Sequence, residues 1–286
     1  MKQLLVTGAN GQLAKCIQDA VSSSSDMNFI FTTREQLDVT NKASIQEIFS
    51  KNNITHCINT AAYTNVEKAE SEPEKAFAIN AEGAKNLAEV CAENGTILIH
   101  VSTDYVFDGS KTSTYLETDQ PNPINVYGAS KLAGEAHVQR ICKKHFILRT
   151  SWLYSQYGHN FLNTIRKHGK AGTQLKVTTE QTGTPTNAND LAAVLLLLVE
   201  NEHIDFGLYH FSNAGTATWY DFAKEILTRS SELNLSNLAK TEHYRTFAKR
   251  PEYSVLSTNK IEKMLNIKTL DWKKSLASVI DILETT

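Results

Sequence analysis

Over its first 150 residues the chain alternates short apolar runs with longer stretches of helical spacing, and no other feature narrows its fold as far. The runs are "KQLLVT" (Lys2–Thr7), "FIFTT" (Phe29–Thr33), "THCINTAA" (Thr55–Ala62), "TILIHVS" (Thr96–Ser102) and "HFILRT" (His145–Thr150). Between them the spacing predicts helices over Gln12–Val21, from Asn41 with Ile45, Ile48 and Phe49 on one face, over Pro73–Glu93, and over Tyr127–Lys143. Strands separated by helices of ten or more residues require crossover connections. The expected fold class is therefore α/β, a Rossmann-like doubly wound parallel sheet with helices on both faces.

After Thr150 the rhythm loosens. Helices are expected at Asn187–Glu200, Thr218–Ser230 and Trp272–Leu283, and a strand at Gly207–Ser212, while Glu232–Ser254 reads as polar and irregular. There is no repeat, no low-complexity tract and no Pro-, Gly- or Ser-rich linker. The division expected is 1–150 as the nucleotide-binding part and 151–286 as a smaller, mainly substrate-binding part, with segments returning to the first sheet.

Composition closes off several function classes. A net charge of −2 gives no electrostatic basis for binding nucleic acid or an anionic membrane. The longest apolar stretch, "LAAVLLLLV" (Leu191–Val199), is half the length of a bilayer span of roughly 18 residues. The N-terminus enters a strand at once, without a basic-then-apolar leader. Cys16, Cys57, Cys91 and Cys142 are spaced for neither a zinc site nor a disulfide framework, so reduced thiols and a cytoplasmic location are expected.

"VTGANGQLA" places Gly8, Asn10 and Gly11 between the first strand and the first helix. Gly8 permits a sharp turn. Gly11 lets backbone approach a pyrophosphate at the helix N-terminus, where free N–H groups and the dipole favour anions, and Ala14 is small enough for close helix packing. The context, a first strand opening an alternating pattern, is the one a dinucleotide site needs. After the second strand the chain reads "TTREQLDVTN", with no acidic residue ending the strand. Arg34 suits a 2′-phosphate, although Glu35 stands beside it, so NADPH is the expected cofactor with NADH as the alternative.

Two further groups carry chemistry. "STDY" (Ser102–Tyr105) ends an apolar strand with two hydroxyls, a carboxylate and a phenol, and "YGASK" puts Tyr127 and Lys131 four residues apart on one helix face. A phenol titrates near ~10, and a neighbouring ammonium is expected to lower that value toward the working range. A Tyr–Lys pair alone is common by chance. Here it follows a dinucleotide turn and a polar strand end at consistent distances.

These residues, with "NTAAYT" (Asn59–Thr64), resemble the extended short-chain dehydrogenase/reductases, in which a Ser/Thr–Tyr–Lys set works on a sugar nucleotide beside NAD(P). Within them the chain is similar to the dTDP-4-dehydrorhamnose reductase family. That likeness rests on Ala61–Asn80, Ser102–Gly109, Pro123–Glu135, "RTSWLYS" (Arg149–Ser155), "GHNF" (Gly158–Phe161), "QTGTPT" (Gln181–Thr186) and "RPEYSVL" (Arg250–Leu256), in order along nearly the whole chain. The resemblance implies that Gly11, Gln12 and Leu13 contact the cofactor phosphates. It puts Asp38 and Val39 at the adenine, and Ala62, Tyr63, Thr64 and Ser102 along the cofactor. Thr103, Asp104, Tyr105 and Trp152 would meet the substrate. Tyr127 would be the acid, with Lys131 as its partner and also on the cofactor, and Thr103 would hold the reacting oxygen. The reaction implied is hydride transfer to C4 of dTDP-4-dehydro-β-L-rhamnose, the last step of dTDP-L-rhamnose synthesis. Arg250 suits a pyrophosphate clamp, and an exposed loop arginine reads equally well. Some members hold magnesium at a dimer contact through a carboxylate that Cys16 replaces here, so no metal is expected. The partner is a small nucleotide sugar, and a monomer or weak homodimer is expected.

Rivals exist. Sugar-nucleotide epimerases and dehydratases share the turn and the Tyr–Lys pair, but a dehydratase has Asp-Glu after the threonine where this chain has Asp104-Tyr105. A non-catalytic subunit, like the regulatory subunit of methionine adenosyltransferase, would not need Thr103, Tyr127 and Lys131 together. His100, inside an apolar strand, reads as a core residue.

Overall fold

A computed structural model describes residues 2–21, 27–201, 205–230, 234–242 and 246–285. The first half runs β1 (Lys2–Thr7), α1 (Gln12–Val21), β2 (Met27–Thr32), α2 (Lys42–Lys51), β3 (His56–Asn59), α3 (Val66–Ser71), α4 (Pro73–Phe77), a π-helical turn at Ala78–Glu82, α5 (Gly83–Glu93), β4 (Ile97–Thr103), α6 (Val126–Ile141) and β5 (His145–Thr150). The second half runs β6 (Leu153–Tyr154), α7 (Phe161–Lys170), β7 (Leu175–Thr178), β8 (Thr182–Gly183), β9 (Thr186–Asn187), α8 (Ala188–Glu200), β10 (Gly207–His210), β11 (Ala217–Thr218), α9 (Trp219–Arg229), β12 (Leu238–Thr241), α10 (Asn259–Leu265) and α11 (Trp272–Thr285).

Six strands form one parallel sheet in the order β2-β1-β3-β4-β5-β10. Both faces are covered, which is why β3 and β5 are buried at every position and read as apolar runs rather than alternating ones. The period-2 alternation survives in the packing. Leu4, Val6 and Ile99 join α1 and α8 in one core. Leu5, Leu98 and Ile147 join α2, α5 and α6 in the other. A third cluster, built on Tyr154, Phe222 and Trp272, packs α7, α9 and α11 together.

The chain order reverses direction between β1 and β3, and open α/β sheets bind ligands at such a switch point, outside the carboxyl ends of the strands. The expected helix over Pro73–Glu93 is continuous but changes pitch across Ala78–Glu82. There the Asn80 amide leaves the helix surface to clamp the backbone of Tyr63, accepting from its N–H at 2.8 Å and donating to its carbonyl at 3.0 Å. The segment Glu232–Ser254 falls partly outside the described residues. Its described part carries a strand, β12, paired with β7, that its polar composition did not suggest. Among the described residues, no helix is long and apolar enough to cross a membrane.

Candidate active site

A cavity of about 690 Å³ opens along the carboxyl ends of β1, β3, β4 and β5. At one end lies the glycine turn. Gly8 has φ +73°, and a Cβ there would sit 3.1 Å from the Ala61 backbone, so only glycine fits the turn. α1 begins at Gln12, and the first amides of a helix have no intrahelical acceptors. Gly8, Asn10, Gly11, Gln12 and Leu13 all line the cavity, as do Arg34, Asp38 and Val39 beyond β2 and Ala62 and Thr64 beyond β3. A crowded glycine cradle at a helix start, on a parallel sheet's switch point, fits the pyrophosphate of a dinucleotide.

At the other end, β4 meets α6. Asn125 caps α6 by accepting from the Gly128 N–H at 2.7 Å, which starts the helix one residue before Tyr127. Tyr127 and Lys131 then face the cavity together with Ser102, Thr103 and Asp104. The Lys131 ammonium donates to the Val101 carbonyl at 2.6 Å, and burial lowers its pKa to about 8. Tyr127 departs from expectation. Burial pushes its phenol up to about 12, with the Thr103 hydroxyl pulling the other way and the Asp104 carboxylate adding to the rise. The ammonium does not offset this, so the phenol is fully protonated at neutral pH. That is the state an acid requires.

Asp104 is itself perturbed. It is buried, and desolvation pushes its carboxyl up to about 7 against hydrogen bonds from Ser254 (2.6 Å) and Thr103 (3.0 Å). Trp152 lines the cavity with φ +45°, a strained conformation for a bulky side chain. It is held there by Trp219, stacked on it with centroids 3.6 Å apart.

Three expected site residues lie elsewhere. Tyr63 is pinned by its backbone, and its side chain turns to donate to Glu72 at 2.9 Å, so only its neighbours reach the cavity. Tyr105 is buried in a 3-10 turn that Thr103 caps, which rotates the phenol away from the cavity. It packs edge-on against Tyr127 at 5.9 Å and lies beside the Arg250 guanidinium. Arg250 is no free clamp, because its guanidinium pairs with Glu67 at 2.8 Å. Ser102 does line the cavity, and its hydroxyl donates inward to Glu135 at 2.5 Å. His100 is buried against Asn59 and held neutral by burial, a core residue as expected.

Reasoning from sequence missed other lining residues: Thr60, Thr150, Ser151 and the loop Gly158–Asn160. The loop has one visible signal, its "GHN" motif. It is tied to the glycine turn through Gln12, whose side-chain oxygen accepts from Ser155 and Asn160, both at 3.3 Å. Among the described residues, no group of three or more His, Cys, Asp or Glu side chains is placed to hold a metal.

Comparison with known proteins agrees with this geometry. The family model of the RmlD substrate binding domain matches residues 1–285. The dTDP-4-dehydrorhamnose reductase of Aggregatibacter actinomycetemcomitans is 37% identical over 289 residues, covering 98% of each chain. A crystal structure of the enzyme of that name from Clostridium acetobutylicum superposes with a TM-score of 0.92 at 37% identity, covering 99% of both chains. Another, from Bacillus anthracis in complex with NADP, gives a TM-score of 0.92 at 35% identity, covering 99% of this chain and all of that one.

Proposed function

Because the chain belongs to the family of the RmlD substrate binding domain, whose curated relatives include dTDP-4-dehydrorhamnose reductases, we infer that it catalyses that reduction and that the cavity at β4 and α6 is where it does so. It is an NADPH-dependent oxidoreductase, with NADH as an alternative donor, acting at the last step of dTDP-L-rhamnose synthesis. The cofactor supplies the hydride when bound. Gly8, Asn10, Gly11, Gln12 and Leu13 are the residues that would hold its phosphates, Arg34 a 2′-phosphate, and Asp38 and Val39 the adenine.

The chain's own groups do the rest. Hydride arrival at C4 places negative charge on the carbonyl oxygen. Tyr127, protonated below about 12, is the donor that neutralises it, because an alkoxide is a far stronger base than this phenolate. Thr103 lines the cavity together with Tyr127 and offers its hydroxyl to the same oxygen. Lys131 lies one helical turn away and supports the phenolate left behind. Trp152 offers the sugar a flat apolar face, fixed by its stack on Trp219. The observation that carries this reading is the meeting of Thr103, Tyr127 and Lys131 in the cavity that also holds the glycine turn. Four buried cysteines free of disulfides support a reducing cytoplasm, where the protein acts as a monomer or weak homodimer.

The test is oxidation of NADPH, and in parallel NADH, with dTDP-4-dehydrorhamnose, followed by identification of the product. Tyr127→Phe is expected to abolish turnover while NADPH binding survives. Loss of both would mean that the tyrosine is structural, and no turnover by the unaltered protein would refute the reading.

A further inference from the structure

Two consecutive residues of β4 are gripped by residues one turn apart on α6. The Val101 carbonyl accepts from Lys131 at 2.6 Å, and the Ser102 hydroxyl donates to Glu135 at 2.5 Å. The first contact belongs to the reaction. The second does not touch the reacting region, yet it is the more heavily built. Glu135, 1% exposed, also accepts from Arg149 on β5 through three contacts of 2.7, 2.9 and 3.2 Å. Arg149 is the residue paired with Ser102 across the β4–β5 ladder, and its guanidinium stands over the Phe107 ring at 5.0 Å. One carboxylate thus fastens α6 to the carboxyl ends of two adjacent strands. The opposite side of the helix is equally confined, since a Cβ on Gly134 would lie 2.2 Å from the Asn80 carbonyl oxygen.

We propose that Glu135 is a positioning residue of the reduction: gripping Ser102 and Arg149, it fixes the turn of α6 that carries Lys131, and it sets a buried negative charge one turn below the lysine ammonium. The proposal rests on the function assigned above. A buried ammonium is costly unless a counter-charge is near. Lys131 shares the cavity with Tyr127 on its own helix and with Asp104 after β4, its charge is felt by His100 on β4, and Arg149 on β5 lies beyond Glu135. Its burial lowers its pKa to about 8, and Glu135 acts against that fall. His100 is held neutral, and Arg149 is cationic. Glu135 is therefore the carboxylate that keeps Lys131 charged at working pH from within its own helix.

The test compares the high-pH limb of kcat, which reports loss of the Lys131 proton, across three proteins. Glu135→Gln removes the negative charge and leaves Arg149 without a counter-charge, so the limb moves to lower pH, and kcat falls by about 10- to 100-fold as Lys131 and Tyr127 lose their register. KM for the nucleotide sugar is expected to change far less. The double variant Glu135→Gln/Arg149→Met removes both charges at similar volume and is expected to recover stability. Its limb should lie between those of Glu135→Gln and the wild type. A merely structural pair would instead leave the limb in place in all three proteins, with activity following melting temperature, and that result overturns the proposal. The same ordering is expected in the pH dependence of NADPH binding followed by nicotinamide fluorescence, which needs no turnover. A wild type that binds NADPH with this ordering but turns over no sugar nucleotide would sink the assigned reaction and uphold the role of Glu135.

Discussion

Gly128 follows Tyr127 and is the more crowded of the two glycines on α6. A Cβ built there would lie 2.1 Å from the Tyr105 carbonyl oxygen and 2.9 Å from its carbon. A carbon normally sits no nearer to a carbonyl oxygen than about 3.3 Å. Gly128→Ala therefore forces a displacement of about 1.2 Å between the start of α6 and the turn after β4. Helix propensity alone favours alanine by up to ~1 kcal/mol. Overpacking costs ~1–3 kcal/mol, leaving a net loss of up to about 2 kcal/mol and a Tm lowered by up to roughly 8 °C. Catalysis suffers more. The displaced segment carries Tyr127 on one side and Thr103 on the other, and a 1 Å misplacement of reacting groups costs ~100-fold. The assay is steady-state NADPH oxidation below the melting temperature, together with a thermal melt. A Gly128→Ala protein with wild-type kcat would show that the β4–α6 approach does not set the geometry of the acid, and the steric reasoning would be wrong.

The buried Asp104 carboxyl is shifted from 3.8 up to about 7, so between these values the folded protein holds a proton that the unfolded chain has lost. Stability must therefore fall as pH rises from ~4 to ~7, by on the order of 4 kcal/mol, and Asp104→Asn should flatten that slope in thermal melts across the interval. Trp219→Ala removes the stacking partner of Trp152. KM for the nucleotide sugar should rise several-fold, worth ~1 kcal/mol of positioning, while NADPH binding measured by fluorescence stays unchanged. Arg34→Ala should weaken NADPH by ~10- to 100-fold and leave NADH unaffected in paired titrations, the worth of a charge-assisted bond to the 2′-phosphate. Equal losses for both cofactors would assign Arg34 to another part of the molecule.

The first half of the fold was legible because both faces of its sheet are buried. Strands such as Cys57-Ile58 and Ile97–Ile99 then stand out as apolar runs between helices that carry their own caps, as at Asn41 and Asn125. The glycine turn was legible for a related reason, since its shape lies in local backbone. What escaped was decided by distant partners. Arg250 was open to two readings until Glu67, 183 residues earlier, appeared beside it. Nothing in "STDY" announces that Glu135, 33 residues on, takes the Ser102 hydroxyl. The pitch change at Ala78–Glu82 follows from Asn80 serving the loop at Tyr63, and its composition is ordinary for a helix. β6, β8, β9 and β11 are two residues each, too short for any periodicity to register.

The position of Tyr105 changes the grounds for separating reduction from dehydration. As a matter of sequence, a phenol stands where an eliminating enzyme has a carboxylate. In the folded protein the distinction is stronger, because Thr103 caps a turn that withdraws residue 105 from the cavity and spends its side chain on Tyr127 and Arg250. Among the described residues, two carboxylates line the cavity. Asp38 accepts from the Thr40 N–H and hydroxyl at 2.9 and 2.8 Å, on the far side of the glycine turn, which leaves Asp104 alone near Tyr127. Expelling water across a carbon–carbon bond needs an acid and a base on the substrate at once. Asp104, poised near 7, can serve as one of these, and Tyr127 is already engaged at the C4 oxygen, so the second role at the departing water has no group to fill it among the described residues. Restoring a carboxylate by Tyr105→Glu should therefore yield no dehydration, because that side chain would point toward Arg250 and not into the cavity. A Tyr105→Glu protein that released water from a 4-keto sugar nucleotide would show that the turn at Asp104 reopens on binding substrate.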